Sequence, residues 1–201
     1  EWLVEGMLDR LLDDSDDVAK RLLAQADFHI VPNMNPDGSV RGNLRVNAAG
    51  ANLNREWMQP SPERSPEVHA VRAEIQRTGC EFFLDVHGDE VIPYVFTAGC
   101  EMLPSVSDAQ RAEQRRFEAA LLASAPEFQT QHGYAPSKYS EDALKLASKW
   151  VGHTFGCVSL TLELPFKDND NLPDERAGWS AGRSKQFGRD TLAGLANFLG
   201  A

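Results

Sequence analysis

The sequence predicts an α/β domain, with a mixed, largely parallel sheet and helices on both faces. Three observations lead there. Short apolar runs at 28–31, 82–86 and 157–164 alternate with longer stretches of helical period. Turn-forming residues such as Pro32, Gly79 and Pro165 bound these runs. Strands separated by helices in this way form sheets whose faces the helices cover.

Taken in order, Trp2, Leu3, Met7, Leu8, Leu11 and Leu12 recur at helical spacing with acids between them. Asp13-Asp14-Ser15-Asp16-Asp17 interrupts this helix, and Ser15 or Asp16 can cap a second one carrying Val18, Leu22 and Leu23. The run 28–31 reads as a buried strand. Residues 33–59, rich in Asn, Gly and Pro, form a long structured loop, and loops of that length in compact domains are usually functional. Ser65-Pro66-Glu67 opens a helix with proline at its first position and an acid in its first turn. Val68, Val71 and Ile75 give that helix an apolar face, and Gly79 ends it. The strand at 82–86 delivers His87 at its carboxyl end. Helices are expected at 108–123 and 141–150, then a strand at 157–164. The last helix runs from about 179 to 199 with Phe187, Leu192, Leu195 and Phe198 facing inward, although Gly182, Gly188 and Gly194 weaken its helix propensity.

The chain has 201 residues, one ordinary domain, and a net charge of −10. The acidic balance argues against nucleic acid as a partner, because phosphate binding needs a basic face. No apolar run reaches the roughly 20 residues of a membrane helix. Cys80, Cys100 and Cys157 form neither a Cys-x-x-Cys pair nor a secreted disulfide framework, so they read as reduced thiols in a cytoplasmic protein.

Four motifs follow one another: Asn35-Pro36-Asp37-Gly38, then Arg45 with Asn54-Arg55, then Asp85-Val86-His87-Gly88, then Thr161-Leu162-Glu163. His87 lies among acids at a strand end, where α/β sheets bind ligands. It reads either as a metal ligand or as a loop histidine satisfied by Asp85 or Asp89. Glu163 lies between leucines near a strand end, an expensive place for a carboxylate unless it is paired, exposed or functional. A partly desolvated carboxylate is suited to general-base work. Arg45, Asn54 and Arg55 share one loop; an arginine fork with an amide donor grips a carboxylate, and a second arginine can stabilise an oxyanion. His87-Gly88-Asp89-Glu90 also matches His-x-x-Glu, but the order of the other motifs argues against reading it as a paired metal motif.

As an ordered set these motifs resemble the zinc metallocarboxypeptidases of the carboxypeptidase A clan, most closely the bacterial relatives of cytosolic carboxypeptidases. The Tyr94…Phe96…Gly99-Cys100-Glu101 stretch adds to the likeness, which spans about residues 1–170. The resemblance implies one Zn2+ in the intact protein, with His87 as a metal ligand and Glu163 as the general base and acid. It implies that Arg45 polarises the scissile carbonyl and that Asn54 and Arg55 hold the substrate's terminal carboxylate. The substrate it implies is a peptide or protein C-terminus, often glutamate in the cytosolic group. Tyr134 and Tyr139 both remain open as the tyrosine that closes over substrate, and Lys145 or Lys149 could meet a glutamate side chain.

The family's His-x-x-Glu motif, with two further zinc ligands, has no counterpart before Asn35. Residues 1–201 are therefore expected to be a partial catalytic domain, inactive without those ligands. Two alternatives stay open: an N-acyl acidic amino acid deacylase on the same scaffold, and a metal-free carboxylate-binding relative.

Overall fold

The computed structural model describes residues 1–136 and 138–200. Its helices are α1 (Trp2–Leu11), α2 (Asp17–Leu23), α3 (Pro36–Arg41), α4 (Pro66–Thr78), α5 (Asp108–Ser124), α6 (Ala147–Phe155) and α7 (Ala181–Leu199). The strands are β1 (Phe82–Asp89), β2 (Phe96–Ala98) and β3 (Val158–Pro165). They form one sheet in the order β1-β3-β2, with β1 parallel and β2 antiparallel to the central β3. The mixed sheet, its predominantly parallel ladder and its helical layers match the expected class.

The two-residue period of the strands divides the core. Phe82, Leu84 and Val86 of β1 and Val158, Leu160 and Leu162 of β3 pack with Leu3, Leu22, Phe117, Phe187 and Leu192 from α1, α2, α5 and α7. Leu160 and Leu162 are fully buried, each contributing about 1.5–3 kcal/mol by leaving water. On the opposite face, Phe83 and Cys157 meet Trp57, Val68 of α4, and Trp150 and Val151 of α6. Farther along that same face the inward positions turn polar: Asp85, His87, Thr161 and Glu163.

Gly188 in α7, unfavourable by propensity, has a packing reason. A Cβ on Gly188 would lie 2.1 Å from the Leu3 carbonyl oxygen, and one on Gly6 would lie 2.0 Å from that of Lys185. The α1 and α7 backbones therefore cross at contact distance, which only glycine permits.

Four expectations change. Residues 28–31 are irregular chain rather than a strand, because among the described residues β1 pairs only with β3; Phe28 and Ile30 still pack onto the first core. The strand expected at 82–86 continues to Asp89, so His87 lies within it. Strand β2 was not expected, being three residues long and without a periodic signal. The helix expected at 141–150 breaks at Leu146, which is extended, between a 3-10 turn (Glu141–Lys145) and α6. The break is tertiary: Asn54 Oδ1 accepts the Ala147 N–H at 2.9 Å, capping α6 from another loop. Within 33–59, Asn-Pro-Asp-Gly forms the start of α3, where Asn35 Oδ1 accepts the Gly38 N–H at 3.0 Å.

Candidate active site

The parallel ladder runs from Phe82 opposite Val158 to Asp89 opposite Pro165 and places His87 directly opposite Glu163. Asp85 faces Thr161 one step earlier on the same side. Thr161 Oγ1 lies 2.7 Å from Ser148 Oγ of α6, so the helix closes the floor behind the pair. A Cβ on Gly88 would lie 2.5 Å from the edge of the exposed Phe166 ring, which would have to turn aside.

His87 Nε2 is 2.9 Å from Asp85 Oδ2 and 3.5 Å from Asn54 Nδ2. One nitrogen cannot donate to a carboxylate and accept from an amide together. The shorter, charge-assisted contact wins, so Nε2 donates to Asp85. Two consequences follow. Nδ1 has no hydrogen bond among the described residues and keeps its lone pair. The Asn54 amide hydrogens are left for another acceptor, while Asn54 Oδ1 is committed to Ala147. Burial pulls the His87 pKa down, but the hydrogen bond to Asp85 and the charges of Asp85 and Glu163 hold it net above its ordinary value.

Glu163 is buried on the central strand. Its Oε1 is 2.8 Å from the Tyr134 hydroxyl, and its Oε2 has no hydrogen-bond partner among the described residues. Burial raises its pKa, against the opposing pull of Tyr134 and His87, and the charges of Asp89 and Asp85 add to the rise. The Tyr134 hydroxyl is also 2.8 Å from Asp89 Oδ2. It has one proton for two carboxyl groups. Asp89 is opposed by burial, but the Ile92 and Val91 N–H groups, Tyr134 and Arg45 hold it net below its ordinary range, so it stays ionised. Glu163 is thus the member of the pair that takes up a proton more readily.

Arg45 Nη2 donates to Glu90 Oε1 at 3.0 Å, both side chains about half exposed. Arg55 Nη1 donates to the Asn54 carbonyl at 2.6 Å. Arg55 and Lys145 line a cavity of about 290 Å³ with Glu56, Met58 and Gln59. A larger cavity of about 470 Å³ lies elsewhere, around Arg183 and the 172–176 loop, away from these carboxyl groups.

The structure therefore gathers His87, Glu163 and Asn54, puts Arg55 beside Asn54, and turns Arg45 toward Glu90. Both tyrosines are about half exposed, and Tyr134 is the one whose hydroxyl reaches Glu163. Of the two lysines, Lys145 is at the cavity; Lys149 is buried and donates to the Gly99 and Ala98 carbonyls. His132 stacks on Tyr94 at 4.2 Å and His153 Nδ1 meets Ser105 Oγ at 2.8 Å, both apart from His87. The sequence offered Asp85 and Asp89 only as alternative partners of His87, and Glu90 only within the rejected His-x-x-Glu reading. The signal for Asp85 was its two-residue spacing from His87, which puts both on one strand face.

A catalytic zinc takes three protein ligands. Among the described residues no group of three or more His, Cys, Asp or Glu side chains could hold a metal. The free Nδ1 of His87 and the orphaned, buried Oε2 of Glu163 fit a share of such a site: one ligand and an adjacent base.

The zinc carboxypeptidase (Peptidase M14) model matches residues 2–178. The fold is similar to a metallo-carboxypeptidase from Burkholderia cenocepacia, at TM-score 0.97 and 60% identity over 99% of this chain and 53% of that one. It is also similar to a metallo-carboxypeptidase from Pseudomonas aeruginosa solved with (2-guanidinoethylmercapto)succinic acid, at TM-score 0.95 and 48% identity, covering 99% and 53%. Among curated proteins it is 28% identical to mouse cytosolic carboxypeptidase 6 over 179 residues, 82% of this chain and 31% of that protein. The chain thus spans about half the length of the solved relatives. With a family model matching nearly its whole length, the chain belongs to the zinc carboxypeptidase family.

Proposed function

We propose that the protein removes C-terminal residues from peptides or proteins, with residues 1–201 forming part of the catalytic domain. The observation that carries this reading is the buried Glu163 Oε2, which has no hydrogen-bond partner among the described residues and belongs to the residue directly across the ladder from His87. His87 would supply one zinc ligand through Nδ1, with the remaining ligands from outside the described residues. A zinc ion there would contribute Lewis acidity, lowering the pKa of a water and polarising the scissile carbonyl. Glu163 accepts the attacking water's proton and returns it to the leaving amine, a dual use that its raised pKa suits. The Asn54 amide and Arg55 grip the terminal carboxylate. Arg45, released from Glu90, supports the oxyanion, and Tyr134 closes over the substrate.

Glutamate is the proposed terminal residue, met by Lys145 at the cavity beside Arg55. We place the protein in the cytoplasm, in keeping with three unbridged cysteines. Among the described residues no helix is long and apolar enough to cross a membrane.

The test is zinc stoichiometry and trimming of a C-terminally glutamylated peptide by the full native protein, with and without His87→Ala. Zinc near one per chain, with trimming, both lost in the variant, is the expected result. A wild-type protein without zinc, or one that cleaves only N-acyl amino acids, would overturn it.

A further inference from the structure

We infer that Gln129 is the residue that positions Tyr134 against Glu163. Tyr134 is half exposed and lies on chain that is neither helix nor strand, so burial alone does not fix its ring. Holding one rotamer there costs side-chain entropy that some contact has to offset. Gln129, earlier in the same stretch, is buried. Its Oε1 accepts the Gln131 and His132 N–H groups, both at 2.7 Å, and its Nε2 donates to the His132 carbonyl at 2.9 Å. Nε2 also donates to the Val95 carbonyl at 3.2 Å, which takes the Gln129 N–H at 3.3 Å as well. Both acceptor sites and both amide hydrogens of the side chain are thus in use. The bonds to Gln131 and His132 fold the turn 129–132 onto itself, and the bond to Val95 ties that turn to the sheet.

Val95 immediately precedes β2, and β2 leads back to the site. Phe96, its first residue, is the Cα partner of Glu163 in the antiparallel ladder. The Tyr134 ring stands edge-on to the Phe96 ring with centroids 4.9 Å apart, and a Cβ on Gly133 would come within 3.1 Å of the Phe96 ring. His132, in the turn, stacks on Tyr94 at 4.2 Å. The contacts close a circuit. Glu163 meets Phe96 through the ladder, Val95 meets Gln129 through hydrogen bonds, and the Tyr134 hydroxyl returns to Glu163 Oε1 at 2.8 Å. A fully satisfied polar side chain inside such a circuit specifies one arrangement of the chain around it. Gln129 makes no hydrogen bond to Glu163, Asp89 or His87 among the described residues, so it acts through Tyr134. The Tyr134 hydroxyl occupies Glu163 Oε1 and leaves Oε2 as the open oxygen. Without the Gln129 amide the turn loosens, the hydroxyl leaves Oε1, and Glu163 loses the bond that fixes which oxygen stays open. The kinetic consequence rests on Glu163 acting as the base proposed above; the placement of Tyr134 does not.

The experiment labels the full native protein with tyrosine carrying an NMR-active carbon at Cζ, whose resonance responds to what the hydroxyl bonds. Loss of one signal in Tyr134→Phe assigns Tyr134. In Gln129→Met that signal should move towards the position of free tyrosine in water. His132→Ala, a milder change at an exposed residue, should move it the same way by less. Trimming of a C-terminally glutamylated peptide is measured alongside. Gln129→Met should lower kcat/KM about tenfold, the worth of one hydrogen bond, and should cost little more when added to Tyr134→Phe, because the two act as one unit. An unmoved Tyr134 signal in folded Gln129→Met or in His132→Ala would overturn the inference. So would an equal fold loss from Gln129→Met in the wild-type and Tyr134→Phe backgrounds, which marks a general loss of structure. A native protein that trims nothing would remove the proposed hydrolysis, and the resonance shift would then decide the placement of Tyr134 by itself.

Discussion

His87 and Glu163 are Cα partners on adjacent parallel strands, and the Glu163 Oε2 atom is buried without a hydrogen bond among the described residues. An uncompensated carboxylate oxygen is costly in a folded core. Its persistence beside an imidazole whose Nδ1 has no hydrogen bond among the described residues is the observation on which the proposed hydrolytic role rests.

Replacing Glu163 with Gln keeps an oxygen near Tyr134 and removes the proton acceptor. Under the proposed mechanism kcat falls by about 10²–10⁴, with the thermal midpoint held or raised because a neutral amide is cheaper to bury. Steady-state kinetics with a melting curve would check this; a loss below tenfold would remove Glu163 from the base role.

Asn54 has two separable duties. Asn54→Asp keeps the oxygen that caps α6 but replaces the amide donor with a like charge, so KM rises while stability holds. Asn54→Ala loses the cap as well and costs about 1 kcal/mol of stability. Arg55→Ala raises KM about 10- to 100-fold, the worth of a hydrogen bond to a charged group. Denaturant midpoints measured with KM for the three variants separate carboxylate binding from capping.

Gly188→Ala should be destabilising by about 1–3 kcal/mol, because overpacking would force α1 and α7 apart. Gly182→Ala in the same helix meets nothing nearer than the Ser180 hydroxyl at 3.9 Å. It should stabilise by up to about 1 kcal/mol through helix propensity. Opposite shifts in urea midpoint within one helix are the expected outcome, and equal shifts would refute the crossing.

Lys149 is buried, and burial pulls its pKa below the ordinary lysine value against the charges of Cys100, Glu101 and Asp85. Between the lowered folded value and the ordinary unfolded one, the unfolded chain binds the extra proton, so stability rises with pH across that window. The gain is full above the unfolded value and is lost as pH falls through the folded value. Lys149→Met should flatten this rise. Urea midpoints of wild type and variant from neutral to alkaline pH would show it, and parallel curves would contradict it.

Much of the chain's organisation was legible from local pattern. The starts of α2, α4 and α5, the inward face of α7, and the strands carrying His87 and Glu163 depend on neighbours three or four residues apart, or on alternation by two. Such signals are present in any short window of sequence. The ordered motifs likewise named His87, Glu163, Asn54, Arg55 and Arg45 before any of them had a position.

What tertiary structure decided were relations between distant segments. It chose the β1–β3 register that pairs His87 with Glu163, and it sent Tyr134 rather than Tyr139 to the carboxylate. It broke the helix expected at 141–150 by capping Ala147 from Asn54, and left 28–31 without a ladder. It also turned three apparent helix-weakening glycines into a mixture: Gly188 and Gly194 are held against neighbouring chain, while Gly182 stands almost clear. Local propensity is set by a residue's own backbone and its near neighbours, whereas each of these outcomes rests on a contact made only once the sheet and its helices have closed.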